Sequence, residues 1–216
     1  MKAFNRALSV LIGALALLLA SPAGTAPPGP RLDFEIYADR TTYGRGEVPS
    51  FGMRIVNRSS QAIYMVEPLD GSDVGWRFPK YRLEVIDAAG KPVPVSGPGD
   101  RCGNMSPLVP EDFTRVGPGK SFFPFGDGLV SFLHPHVHLP GPGIYRFRWV
   151  YTTASRDIRA YYGDELRMNP RYRPSAEMLR RFQMVPKVEL RSNYLTLKFT
   201  GAAESDPVTY RTRLPR

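Results

Sequence analysis

Alternation of apolar and polar residues along short segments is the feature that most limits what this chain can fold into. In RLDFEIYAD, the apolar residues at positions 32, 34, 36 and 38 alternate with acidic residues at 33 and 35. The same period of two runs through FGMRIVN, from Phe51, and through KYRLEVID, from Lys80. Because successive side chains of a strand point to opposite faces, this period predicts half-buried antiparallel strands. Further strands are predicted at 62–66, 121–125, 144–151 and 194–199, and we expect about eight strands in the whole chain.

Turn signals and one helical pattern complete the architecture. DAAGKPV, which opens at Asp87, predicts a hairpin turn. PSAEMLRRFQ has the one helical spacing, with Ser175 as N-cap and with Met178, Leu179 and Phe182 placed for one face. We therefore predict an all-β, antiparallel β-sandwich with one short helix in an insertion before the last strand.

A local motif supports a sandwich of the immunoglobulin-like (Ig-like) type. In PGIY, Tyr145 opens a strand directly after a proline-glycine corner. This context predicts a tyrosine corner, in which the ring packs inside and the hydroxyl bonds a nearby backbone group.

The segment DRTTYGRGEVPSFGMRIVNRS carries a resemblance to known domains. Tyr43, the Gly46-Glu47 pair and the NRS sequence at Asn57 are similar to the Y-x-x-G-E … N-x-S opening of many bacterial exported Ig-like domains and of macroglobulin-like domains. VGPGKSF, LPGPGIYRFRWVY and LRSNYLTLKF fit the rest of that pattern, and the order of segments resembles the BsuPI-type proteinase-inhibitor domain. The resemblance covers most of residues 31–200 and implies an Ig-like sandwich. It implies little about function, because such sandwiches host many unrelated activities.

The amino-terminal segment has the pattern of a secretory signal peptide. Lys2 and Arg6 precede an apolar run at 7–20, and small residues then allow cleavage after Ala23 or Ala26. The run is too short to span a bilayer. We expect a signal peptide at 1–26, a sandwich at 31–200 and a C-terminal tail at 201–216, in a periplasmic or extracellular protein without a membrane span.

Charge and motif content limit the classes of function. The net charge of +9 favours an anionic partner, such as a component of the cell envelope, and no nucleic-acid-binding motif accompanies it. The sequence lacks the nucleophile-elbow, H-E-x-x-H, P-loop and dinucleotide-binding motifs. We therefore expect a non-catalytic binding module without a cofactor, whose partner is an unknown macromolecule.

The insertion at 156–183 is basic and aromatic. Arginine and tyrosine are the residues that dominate interface hot spots, so this insertion is the predicted partner-binding region. In the alternative interpretation, the aromatic residues cover an open edge of the sandwich and the arginines are solvated around them. The candidate partner-binding residues are Arg171, Arg173, Arg180, Arg181, Tyr161, Tyr162 and Tyr172.

The sequence HPHVH places His134, His136 and His138 at alternate positions. On a strand, neighbours in such a row are about 6.6 Å apart, so two of them can hold one copper or zinc ion. A closed site needs a further ligand, and Asp127 and Cys102 are the candidates. Leu133, Val137 and Leu139 should face the core. The row is either a periplasmic metal site or a solvated strand face, and proteinase inhibition is a third function, implied only by the BsuPI-type resemblance.

Overall fold

A computed structural model of the chain describes residues 30–44, 47–95, 106–129, 137, 139–163 and 172–201. The predicted signal peptide, nearly all of the predicted C-terminal tail and Cys102 lie outside these residues. So do the three histidines, Leu133 and Arg171.

Short strands are the main regular elements of the described chain. Their bounds are β1 (Leu32–Ala38), β2 (Thr42–Tyr43), β3 (Phe51–Asn57), β4 (Ile63–Val66), β5 (Lys80–Asp87), β6 (Pro92–Val93), β7 (Phe113–Val116), β8 (Ser121–Phe122), β9 (Gly143–Thr152), β10 (Glu189–Arg191) and β11 (Leu195–Phe199). Helix α1 (Ala176–Gln183) and two 3-10 helices, Pro110–Asp112 and Ile158–Tyr161, are the helical elements of the described residues. No helix in this part of the chain is long and apolar enough to cross a membrane.

The strands form two facing sheets and a small third one. The first sheet has the order β1-β3-β8, and the second has the order β2-β11-β9-β5-β6, with β10 also paired to β9. Strands β4 and β7 form the third sheet. The pairs are antiparallel except for β11 with β2, which is parallel. This arrangement confirms the predicted Ig-like sandwich, with helix α1 in the insertion between β9 and the last strands.

The main core lies between the first two sheets, on the faces that the alternation predicts. Phe34 and Ile36 of β1 are buried in it, and so are Phe51 of β3 and Phe147 of β9. The rings of Phe51 and Phe147 meet across the layers, with centroids 5.8 Å apart. On the outer face of β3, the ring of Tyr37 lies over Gly52, where a Cβ would come within 2.2 Å of it. A larger residue at position 52 would therefore displace the Tyr37 ring.

The predicted helix is confirmed, with one correction to its buried face. Ser175 is the N-cap, and its hydroxyl accepts a hydrogen bond from the Met178 amide at 3.1 Å. Met178 and Phe182, one helical turn apart, are buried, whereas Leu179 is 40% exposed. The prediction that Leu179 shares their face was wrong, because the turn of about 100° per residue carries it away from the narrow contact of so short a helix.

The predicted tyrosine corner is present. Tyr145 is 4% exposed, and its hydroxyl donates to the carbonyl oxygen of Gly141 at 2.8 Å. The hydrogen bond ties the loop before β9 to the start of that strand. The hydrogen bond has a normal length and its donor side chain is buried, so its loss should lower the stability of the fold measurably.

We predict that Tyr145→Phe lowers the free energy of unfolding by about 1 kcal/mol, because a partly buried carbonyl loses its donor. Urea denaturation with fluorescence detection measures the change. Tyr37→Phe is the control, because Tyr37 is an exposed tyrosine, and it should leave stability within about 0.5 kcal/mol of the wild type. Equal effects of the two substitutions would contradict the structural role of the corner.

Candidate functional site

The insertion is packed onto the sandwich as a second apolar core. This second core joins the insertion to β4, to β7 and to the loop before the first 3-10 helix. Its buried members are Val66, Leu108, Phe113, Tyr161, Tyr162, Met178, Phe182 and Val185. The helix and the 3-10 turn of the insertion therefore have fixed positions on the domain.

Polar contacts hold the start of the insertion in place. The Arg77 side chain is buried, and it donates from Nε to the Tyr161 carbonyl at 3.0 Å and from Nη1 to the Ser106 carbonyl at 2.6 Å. The Tyr161 hydroxyl donates to the Thr153 carbonyl at 2.8 Å, just beyond the end of β9. Burial raises the pKa of Tyr161 well above its usual value, so the ring is a neutral packing element.

The predicted partner-binding tyrosines take different places. Tyr161 is 0% and Tyr162 4% exposed, which leaves them no surface for a partner and agrees with the interpretation that the aromatics cover an edge. Tyr172 is half-buried and lies edge-on to Tyr162, with ring centroids 5.2 Å apart. Of the three, only Tyr172 could touch another molecule.

The predicted partner-binding arginines also differ in their surroundings. Arg181 donates to the Pro110 carbonyl and to Glu177, so it fastens α1 to the first 3-10 helix. Arg180 and Arg173 are exposed, and Arg173 donates to the Tyr172 carbonyl at 2.9 Å. Arg173 and Arg180 are therefore the exposed residues among the described arginines of this set.

Lys187 closes the carboxyl end of α1. Its Nζ donates to the Phe182 carbonyl at 2.9 Å and lies 3.4 Å from the centroid of the Phe182 ring. Burial lowers the pKa of Lys187 to about 8. The position suits a cation, because carbonyl groups at the end of a helix carry partial negative charge.

The three histidines of the predicted metal site lie outside the described residues, whereas Val137, Leu139 and Asp127 are described. Val137 bridges Val95 in an isolated antiparallel pair, and Val137 and Leu139 both pack against the main core, as predicted. Asp127, one candidate further ligand, is exposed and lines a shallow cleft with Glu35 and Arg54. Within the described ranges, no three histidine, cysteine, aspartate or glutamate residues are grouped to hold a metal ion.

A set of charged residues on the outer face of the large sheet was missed by the sequence reasoning. On β5 and β9 the alternation that turns aromatic residues inward turns charged residues outward, and the register places Glu84 directly opposite Arg148. Arg82 of β5 and Arg191 of β10 stand on either side of Val150. We call this set the arginine cluster: Arg82, Glu84, Arg146, Arg148, Glu189, Arg191 and Tyr194.

Glu84 is the centre of the arginine cluster. It accepts from Arg148 Nε at 3.0 Å and Nη2 at 2.5 Å, and from Arg82 Nη2 at 3.0 Å, while Arg191 Nη1 lies 3.5 Å away. Burial raises the pKa of this carboxyl, but the hydrogen bonds and charges of the three arginines outweigh burial and hold the pKa below its usual value. Glu84 is therefore a permanent anion at neutral pH.

Tyr194 is the aromatic member of the cluster. The guanidinium carbon of Arg148 lies 4.5 Å from the centroid of its ring, and that of Arg146 lies 5.4 Å away. Guanidinium groups at this distance are attracted to the ring face. The ring therefore helps to keep both arginines extended over the sheet.

The sequence indicated that these arginines point outward, but it did not indicate that they lie next to one another. The polar faces of KYRLEVID and IYRFRWVY both carry arginine at alternate positions. Those positions indicate an outward direction, whereas the pairing of β5 and β10 on the two sides of β9 is what brings the charges together.

Comparisons with known proteins identify no family. No family model matches the chain, and no curated protein matches it. The resemblance to macroglobulin-like and BsuPI-type domains therefore has no support beyond the motifs that suggested it.

Among solved structures, the chain is similar to the CARDB domain of the PF1109 protein from Pyrococcus furiosus, solved in complex with di-metal ions. The two are 10% identical, and the match covers 82% of this chain and 95% of that one, with a TM-score of 0.31. A likeness of this degree carries no argument about function.

We predict that Lys187 makes stability rise with pH between about 8 and 10.5. Because its pKa in the folded protein is lowered to about 8, the unfolded chain binds more protons in that window, so raising the pH favours the folded state. For a half-exposed side chain the gain should be on the order of 1 kcal/mol. Urea denaturation at pH 7.5 and 9.5 measures it.

Lys187→Met should remove this gain, whereas Lys198→Met, at an exposed position of β11, should keep it. A pH dependence that is the same in wild type and in Lys187→Met would contradict the prediction.

Proposed function

We propose that this chain is an exported, non-catalytic Ig-like binding module whose partner is an anionic macromolecule of the cell envelope. The observation that carries the proposal is the second apolar core, which holds an arginine-bearing helix and turn at fixed positions on the sandwich. A fixed surface loses less conformational entropy on binding than a loose loop would. The positive net charge of the chain supports an anionic partner.

The proposed contact residues are the exposed members of the insertion. Arg173 and Arg180 are exposed, and Tyr172, which precedes Arg173 in the sequence, is half-buried. Arg171 is proposed with them from the sequence pattern. Arg181 supports the surface from below through Pro110 and Glu177. Arg171, Arg173 and Arg180 would therefore contact the partner, whereas Arg181 holds the helix in position.

Metal binding by His134, His136 and His138 is a second candidate function, and one observation favours it. Val137 and Leu139 pack against the main core, which is the parity that a row of outward histidines requires. Copper and zinc are the ions that such imidazole ligands would select. The proteinase-inhibitor alternative has no comparable observation in its favour and stays a prediction.

We predict that Arg171→Ser/Arg173→Ser/Arg180→Ser weakens binding to envelope preparations of the producing cells about tenfold or more, because charge pairs to an anionic partner are lost. Wild-type binding should fall as salt rises from about 0.01 to 1 M, over which the Debye length shrinks from roughly 30 to 3 Å. Co-sedimentation measures both effects.

The melting temperature of the triple variant should change little, because its described positions are exposed. Arg181→Ser is the structural contrast, since it should lower the melting temperature by breaking the contact between α1 and Pro110. Unchanged envelope binding in the triple variant would refute the proposed contact surface.

For the metal candidate, we predict that protein purified without a histidine tag retains stoichiometric copper or zinc after dialysis, and that His136→Ala loses it. Elemental analysis measures the metal content. Asp127→Asn tests whether that carboxylate completes the site. Metal-free wild-type protein, or equal retention in His136→Ala, would show that the row is a solvated strand face.

A further inference from the structure

The arginine cluster is a built surface and not a scatter of solvated charges. Three guanidinium groups converge on Glu84, and Glu189 joins the same network through Arg191 at 2.9 Å. Arg82 also lies 3.8 Å from Glu189. Networks of this kind fix side chains that would otherwise lose rotamer freedom on binding.

The cluster keeps hydrogen-bonding capacity toward solvent. The side chains of Arg82 and Arg191 are 49% and 48% exposed, and each guanidinium carries five N–H donors. The contacts with Glu84 and Glu189 engage only part of that number. An external anion can therefore be bound without breaking the internal network.

We propose that the outer face of the large sheet is a binding surface for a carboxylate-bearing polysaccharide, with the arginine cluster as its contact. None of the cluster residues belongs to the insertion at 156–183, so the proposal stands or falls independently of the one made for the insertion.

The internal geometry shows why carboxylate is the matching group. Arg148 donates from both Nε and Nη2 to one oxygen of the Glu84 carboxylate, Oε2, and Arg82 donates to the other oxygen, Oε1. Guanidinium groups of this cluster therefore already bind a carboxylate through both of its oxygens, and the exposed ones can donate to a ligand carboxylate in the same way. Glu84 and Glu189 repel bound anions. The surface should therefore bind a polymer of moderate negative charge density better than one of very high charge density.

The spacing of the cluster favours a polymer over a small acid. Arg146 and Arg148 are two residues apart on β9, about 6.7 Å, and adjacent strands are about 4.8 Å apart. A single carboxylate can reach one or two of these groups. A chain with recurring carboxylates can reach several at once, and it gains affinity because the later contacts are intramolecular.

The backbone and the aromatic ring argue against two other kinds of polymer. Strand β9, which carries Arg146 and Arg148, is paired on both sides, to β5 and to β10 and β11, so an added peptide strand cannot pair with the strand at the centre of this surface. The ring of Tyr194 lies under two guanidinium groups, whereas single-stranded nucleic acid needs open rings for base stacking. The remaining candidate is a polymer that side chains alone can bind, through its sugar hydroxyls and carboxylates.

The test uses polygalacturonate as the probe and isothermal titration calorimetry on the mature chain. Arg82→Gln/Arg146→Gln/Arg191→Gln should weaken binding about tenfold or more, because three charged contacts are lost. The matched control is Arg40→Gln/Arg54→Gln/Arg58→Gln, which removes the same charge from ion-paired arginines elsewhere on the surface and should change affinity by less than about twofold.

A variant that binds more tightly than the wild type shows that the affinity changes do not come from misfolding. Glu189→Gln should tighten binding about two- to threefold by removing a competing carboxylate, whereas Glu35→Gln, which loses an equivalent partner of Arg54, should not.

Several results would overturn the proposal. Equal losses in the two triple variants would mean that net charge alone determines binding. Absence of wild-type binding, or tighter binding of polyglutamate, single-stranded DNA or anionic lipid vesicles than of polygalacturonate, would refute the assigned class of partner.

Discussion

Packing of the aromatic face of β9 against the opposite sheet is the interaction on which the rest of the structure depends. Tyr145, Phe147, Trp149 and Tyr151 alternate along this strand and are buried in the main core. The single cysteine of the chain rules out an intramolecular disulfide, so the two layers are held by non-covalent contacts. Most of these are apolar, and the Asn193 side chain adds hydrogen bonds to the backbone of Ile36 in β1. Burial of aromatic side chains contributes more than most contacts can, because each removes a large area from water.

The same strand supports the insertion at its carboxyl end. The Tyr151 hydroxyl donates to the Val66 carbonyl, and the Thr153 hydroxyl donates to the Pro186 carbonyl at 2.5 Å. Burial raises the pKa of Tyr151 well above its usual value, so this hydroxyl stays a donor. The second core is therefore joined to the first through β9, while the outward residues of that strand form the middle of the arginine cluster.

The motifs that suggested a family have structural roles in this chain. Tyr43 is buried and stacks on Phe199, with centroids 5.7 Å apart. The Asn57 side chain donates to the Gln61 carbonyl at 2.8 Å and to the Val116 carbonyl at 3.0 Å, which closes the turn after β3. These residues stabilise a sandwich whatever it binds. This explains why a resemblance built on them implies a fold and carries little information about function.

The sequence by itself determined seven of the described strands, their inward faces, the tyrosine corner and the capped helix, because each depends on the period of the chain or on residues a few positions apart. It did not predict β2, β7 and β10, which have two to four residues and are too short to show a clear period. Tertiary structure alone decided that Tyr161 and Tyr162 are buried, since their cover comes from distant elements such as β4 and β7. It also decided which outward charges adjoin. Alternation sets the side to which Glu84 and Arg148 point, but strand pairing is non-local, and only the register of β5 with β9 makes them neighbours.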